Sequence, residues 1–179
     1  LHGTHVAGIA AGSGTTGFGV ARGADLISVQ VFSRFSGEDC DEGEEDPCAR
    51  TYLSDTLKAL EYVYSLRGKH RIAAVNMSIG GEIYSSAAEC DAGDPRSDIV
   101  ALLREAGIAT VAAAGNDGLA GSLSSPGCLS DAISVTATTA DDRIASFSNV
   151  ADFLDLAAQR ELSDVFRERD PLLDVNEGL

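Results

Sequence analysis

Positive charge is scarce in this sequence. Thirteen lysines and arginines stand against 28 aspartates and glutamates, a net charge of −15 over 179 residues. So acidic a chain repels phosphate backbones and anionic headgroups, which argues against nucleic acid and membrane surfaces as partners. Long apolar runs are missing too: no stretch reaches the 18 residues expected of a spanning helix. Internal repeats and proline-rich linkers are absent, as are C-x-x-C, H-E-x-x-H and G-x-S-x-G. Those absences remove a zinc knuckle, a thioredoxin-type centre, a zinc protease of that signature and a nucleophile elbow. The sequence shows neither an initiator methionine nor a leader-like segment, and opens on LHGTHVAG.

What remains is an ordinary globular composition, 44% hydrophobic and 23% charged, long enough for one domain or most of one. Segments of period 2 or continuous apolar character alternate with segments of period near 3.6, the pattern of βαβ units and a mainly parallel sheet. DLISVQVF (Asp25 to Phe32) predicts a strand through Ile27, Val29 and Val31. TYLSDTLKALEYVYSLRG predicts a helix with Leu53, Leu57, Leu60 and Tyr64 on one face, Thr51 or Ser54 as its cap and Gly68 as its stop. RIAAVNMS reads as a buried strand, and SDIVALLREAG as a helix capped by Ser97 and ended by Gly107. IATVAAAGN and AISVTAT are two further strands, the first rich in alanine on both faces as befits a strand between helix layers.

Four cysteines permit three pairings. Cys40 and Cys48 bracket a short acidic stretch and can close it locally, which leaves Cys90 with Cys128; four reduced thiols in a cytosolic protein are the alternative. The acidic stretch itself, EDCDEGEED from Glu38 to Asp46, holds seven acids in nine residues, which no buried element accommodates. Its spacing does not match D-x-[DN]-x-[DN]-G, so it reads as a solvated loop rather than a calcium site. The segment from Arg160 to Leu179 is highly charged and loses the α/β rhythm, leaving room for one short amphipathic helix.

Three stretches carry chemistry. In HGTHVAGIAAG, Gly3, Gly8 and Gly12 cost a helix about 1 kcal/mol each relative to alanine, so their presence implies close approach of another element. His2 stands at the start of that helix and His5 one turn on; without a third ligand at a recognised spacing the pair is not a metal site, and His5 reads as a buried structural partner. In AAAGNDG (Ala112 to Gly118) a strand ends in Gly-Asn, placing the Asn116 amide where open α/β folds bind ligands; Asn116 either donates to a developing oxyanion or merely supports a left-handed turn. In VNMSIGG (Val75 to Gly81) a strand ends in glycines, whose bare backbone either pairs with an extended peptide or makes a tight turn.

Taken in order, HGTHVAG, NMSIGG and AAGN resemble the histidine motif, the substrate-binding strand and the oxyanion segment of the subtilisin-like serine proteases (peptidase S8). VARGADLISVQVF and AISVTATTADDRIASFSNV resemble the connecting strands of that family. The resemblance runs from Leu1 to about Ala158 and implies a three-layer α/β fold with a mainly parallel sheet, here incomplete, with residues 159–179 as a divergent charged tail. It also implies an endopeptidase working through an acyl-enzyme, with His2 as general base and Asn116 as oxyanion donor. Ser78, Ile79, Gly80 and Gly81 would pair with the peptide, and Ala113, Ala114 and Gly115 would form the opposite wall. The implied partners are a polypeptide substrate and a propeptide or protein inhibitor; no cofactor is required and calcium is optional. An extracellular, secreted setting follows from the resemblance and the paired cysteines.

The same resemblance requires an aspartate before the histidine and a serine in a G-T-S-M-A-type motif after the oxyanion segment. The sequence contains neither: Ser13, Ser124 and Ser125 lie in Gly/Ser-rich loops, and nothing aims Asp25 or Asp117 at His2. Loss of the serine costs a subtilisin about 2 × 10⁶ in turnover, so these 179 residues alone are expected to be inactive, as the central part of a larger catalytic domain or a truncated product. A non-catalytic domain that keeps the cleft and binds peptides or an inhibitor is the rival expectation. The acidic loop follows the strand that in relatives borders the substrate, which predicts a mild preference for basic residues in substrates. Neutralising Glu42, Glu44 and Glu45 is expected to weaken that preference in cleavage profiling of the full-length protein; an unchanged profile would refute it.

Overall fold

The structure, a computed structural model, describes residues 2–14, 19–40 and 46–159. The tail from Arg160 and the acidic residues Glu42, Glu44 and Glu45 lie outside them. Four strands form the central sheet: β3 (Ala74–Met77), β5 (Ala109–Ala113), β7 (Ala132–Thr138) and β8 (Leu156–Gln159), in that spatial order. Every neighbouring pair is parallel, with Met77 opposite Ala112 and Ala113 opposite Val135. Strand β7 shows the alternation that its sequence demands, with Ala132, Ser134, Thr136 and Thr138 buried and the residues between them half-buried. Two small antiparallel pairs flank the sheet: β1 (Phe32–Phe35) with β2 (Cys48–Thr51), and β4 (Ile83–Tyr84) with β6 (Leu123–Ser124).

Helix α2 (Leu53–Leu66) buries Thr56, Leu60 and Val63, and packs on α4 (Ser97–Glu105), which buries Ile99, Val100 and Leu103. Helix α4 lies in turn on β5 and β7, so the main core runs from Leu60 through Leu103 to Ala112 and Ala132. Gly107 ends α4 with φ +75°, a conformation that costs glycine nothing and a side-chain-bearing residue more than 1 kcal/mol. Between the two long helices, α3 (Ala87–Gly93) begins at Ser86, whose hydroxyl accepts from the Glu89 N–H. The disulfides are Cys40–Cys48 and Cys90–Cys128, the second tying α3 to the loop before β7. No helix among the described residues is long and apolar enough to cross a membrane.

Several sequence expectations need correction. The strand over Asp25–Phe32 does not form: pairing begins only at Phe32, and Leu26 and Ile27 are exposed. Alternation supplies a strand's faces, but a ladder needs a partner, and none of the described residues pairs with 25–31. Strand β3 is not buried throughout: it lies at the sheet edge, with Met77 buried, Val75 half-buried and Ala74 and Asn76 exposed. Neither Thr51 nor Ser54 caps α2, which starts after Tyr52; Thr51 Oγ1 instead donates to the Val31 carbonyl at 2.7 Å. Ser97 is the first residue of α4, and Arg96 holds the cap position. On α1 (His2–Ala11) the close approach lies only at the C-terminal end. Gly19 N donates to Gly12 O and Val20 N to Ile9 O, and a Cβ on Gly19 would stand 2.4 Å from Gly12 N, whereas a Cβ on Gly3 or Gly8 would meet open space.

One buried ion pair braces the β4–β6 corner against the α3–α4 junction. Arg96 Nε and Nη2 donate to both carboxylate oxygens of Asp94 at 2.8–3.2 Å, and Ser125 Oγ bonds to Asp94 Oδ2 and Arg96 Nη2. Both charged residues are buried. Burial pushes the Asp94 carboxyl up, but the hydrogen bonds from Arg96 and Ser125 and the guanidinium charge outweigh it and hold the pKa below the usual value. A depressed folded-state pKa adds stability that is complete above the unfolded value of about 3.9 and is lost as pH falls toward the folded one. Tm is therefore expected to fall below about pH 4, and Asp94→Ala to flatten that acid limb. At pH 7 the same variant is expected to cost about 3–5 kcal/mol by stranding Arg96, as thermal unfolding across pH would show.

Candidate active site

Parallel pairing of β3 with β5 brings two chain reversals to one edge of the sheet, about one inter-strand spacing of ~4.8 Å apart. Beyond Met77 the chain continues as Ser78-Ile79-Gly80-Gly81; beyond Ala113 it continues as Ala114-Gly115-Asn116. The two stretches that the sequence singled out thus emerge side by side. His2 joins them from the first turn of α1, its Nε2 lying 2.9 Å from the Ser78 carbonyl. A carbonyl oxygen can only accept, so Nε2 carries the proton in this arrangement. That carbonyl is the only hydrogen-bond partner of the His2 ring among the described residues. Ser78 is fixed on its other side by Asn76, whose Nδ2 donates to Ser78 Oγ at 2.9 Å.

Asn116 is exposed at the tip of its turn. Gly115 precedes it with φ +112°, and a Cβ there would stand 2.2 Å from Asn149 Nδ2, so both backbone and space require glycine. The neighbouring stretch is held by Ser124, and a Cβ on Gly81 would stand 3.3 Å from Ser125 O. The Ser124 hydroxyl accepts from Gly81 N at 2.9 Å and donates to Gly81 O at 3.1 Å, while the Ser124 N–H donates to Ala114 O at 2.8 Å. A Cβ on Gly80 would come within 3.1 Å of that hydroxyl. Ser124 therefore stitches the two walls together from below, with Ser125 N bonded to Glu82 O beside it.

Of the residues expected to act, His2, Ser78 to Gly81, Ala113 to Gly115 and Asn116 all gather at this edge. His5, one turn along α1, is half-buried, and its Nε2 is buried without a hydrogen-bond partner among the described residues. Of the serines considered as substitute nucleophiles, Ser124 is bonded to Gly81 and Ser125 to Asp94 and Arg96, while Ser13 is exposed. Asp117 accepts from Asn149 Nδ2 at 3.1 Å and so is not aimed at His2. Sequence reasoning missed Ser124 as the floor, the Asp94–Arg96 pair behind it and Asn149 beneath the Asn116 turn. Each acts through partners more than 25 residues away or through a buried polar contact, which leaves no local pattern to read.

The chain is similar to known proteins. A model of the subtilase family (peptidase S8) matches residues 1–163. Among curated proteins the chain is 36% identical over 164 residues to the subtilase-type proteinase psp3 of Schizosaccharomyces pombe, covering 90% of this chain and 31% of that protein. It is 34% identical over 157 residues to alkaline protease 1 of Aspergillus clavatus, covering 88% and 33%. It thus spans about a third of the length of these relatives. Among solved structures, the S41 psychrophilic protease superposes with a TM-score of 0.63 at 31% identity, over 83% of this chain and 44% of that one. With the family model matching residues 1–163, the chain belongs to the subtilase family.

Proposed function

We propose that this chain carries part of the catalytic centre of a secreted serine endopeptidase that hydrolyses peptide bonds through an acyl-enzyme. Family membership supports the serine protease class, and the convergence of His2, the Ser78 carbonyl and the Asn116 turn at one sheet edge carries the reading. His2 Nε2 takes the proton of the attacking serine and returns it to the leaving amine. Asn116 Nδ2 donates to the oxyanion of the tetrahedral intermediate. An extended substrate lies along Ser78–Gly80 by main-chain pairing, with its side chain before the scissile bond between Gly80–Gly81 and Ala113–Gly115 above the Ser124 hydroxyl. The two disulfides favour an oxidising, extracellular setting.

The tautomer of His2 sharpens this proposal. A base needs a lone pair on Nε2, which requires the ring proton on Nδ1, and a carboxylate at Nδ1 is what holds it there in a triad. Here Nε2 is the donor, and no described carboxylate or hydroxyl bonds the ring. The acyl-enzyme reading therefore applies to a polypeptide that adds an orienting aspartate and a serine to these residues. Propeptide or protein inhibitor would occupy the same cleft as substrate, and calcium has no step in the chemistry.

A fluorophosphonate probe separates this reading from a peptide-binding domain without catalysis, because labelling requires an activated serine. Full-length protein is expected to be labelled and the 179 residues alone not. His2→Ala is expected to lower kcat by about 10⁶ and Asn116→Ala by about 10² to 10³, the latter with little change in KM. Full-length protein that binds peptides yet resists the probe would establish the non-catalytic reading instead.

A further inference from the structure

Beneath the Asn116 turn lies a fully buried side chain that the mechanism above does not use. Asn149 has no exposed surface. Its Oδ1 accepts from the N–H groups of Asp117 and Leu119, both at 3.0 Å, and its Nδ2 donates to Asp117 Oδ2 at 3.1 Å. Its backbone N–H donates to Gly115 O at 3.1 Å. One residue therefore grips the chain immediately before and immediately after Asn116. Its carboxamide also fills the space that a Cβ on Gly115 would need.

The anchor is itself fixed. The Asn149 carbonyl accepts from Thr136 Oγ1 at 2.9 Å, and Thr136 is a buried residue of the central strand β7. Either side of the grip, Gly118 N donates to Phe147 O and Val150 N to Leu119 O. Two inward-facing N–H groups in a tight turn are costly if left without an acceptor, about 1–3 kcal/mol each, so the turn has a strong preference for this one arrangement. Asn116 itself is exposed, and the backbone that carries it is locked on both flanks.

We propose that Asn149 is the positioning residue of the oxyanion donor: by clamping residues 115, 117 and 119 onto β7 it fixes where the Asn116 amide points. The proposal rests on the serine endopeptidase reading. It follows that the contribution of Asn149 to turnover passes through Asn116 and vanishes when that amide is absent. A residue that only stabilises the fold would show no such dependence.

The experiment is a double-mutant cycle in the full-length protein. Asn149→Ala and the isosteric Asn149→Asp are expected to lower kcat by about 10- to 10²-fold with KM within about threefold, since misplacing a reacting group costs about that much. In the Asn116→Ala background the same substitutions are expected to add less than about threefold. Amide hydrogen exchange at Asp117 and Leu119 is expected to accelerate in Asn149→Ala. Unchanged kcat in both single variants, or an equal loss with and without Asn116, overturns the proposal. Should the Asn149 variants not fold, Asp117→Ala removes only the exposed end of the clamp and is expected to give the same non-additivity at smaller size, with additivity again counting against the proposal. Wild-type protein that neither turns over peptides nor takes the fluorophosphonate defeats the endopeptidase reading, and the positioning role falls with it.

Discussion

The parallel pairing of β3 with β5 is the constraint from which the rest of the molecule's chemistry follows. Because both strands run the same way, both leave the sheet at one edge, and Met77 opposite Ala112 sets their exits level. An antiparallel pair would have put one exit at each end. A shift by a single residue would have turned Met77 and Ala112, both buried, to opposite faces, since side chains alternate with period 2. The core of Leu60, Val100, Leu103 and Ala112 holds that register by burying the α2 and α4 side of the sheet.

Levelled strand ends are a scaffold, and buried polar side chains turn it into a defined cleft. Ser124 bonds both walls, Asn149 locks one of them from beneath, and Asp94 with Arg96 braces the corner from which Ser125 projects. Small polar residues on the buried face of β7 serve the same end. Ser134 bonds Asp155, and Thr136 holds the backbone of Asn149. Such groups are costly to bury singly and inexpensive when every donor finds an acceptor, so they favour one geometry over near alternatives. Glycine at 115 is the counterpart, since Asn149 approaches the backbone there more closely than a Cβ allows; at Gly80 the Ser124 hydroxyl leaves a tight 3.1 Å.

Much of this was legible beforehand. The helix at α4, its stop at Gly107, the strands β5 and β7 and the two disulfide pairs all appear where periodicity, turn chemistry and cysteine placement put them. The family resemblance came from three short motifs, and a match over residues 1–163 agrees with it. The failures share a cause. Residues 25–31 alternate as a strand should, yet alternation says nothing of whether a partner lies alongside. Thr51 has the right side chain for a cap but found the Val31 carbonyl, and Ser97 sits one position too late.

By itself, then, the sequence determined the helices α2 and α4, the strands β3, β5 and β7, the glycine that ends α4, and that a histidine, a glycine-ended strand and a Gly-Asn turn belong to one kind of protein. These are matters of backbone sterics and side-chain periodicity within a few residues of chain. Tertiary structure alone decided that Nε2 of His2 meets the Ser78 carbonyl across 76 residues, that Ser124 bonds Gly81 across 43, and that Asn149 grips Asp117 across 32. No local pattern encodes such contacts, because partners so far apart in the chain meet only once the fold has brought them together.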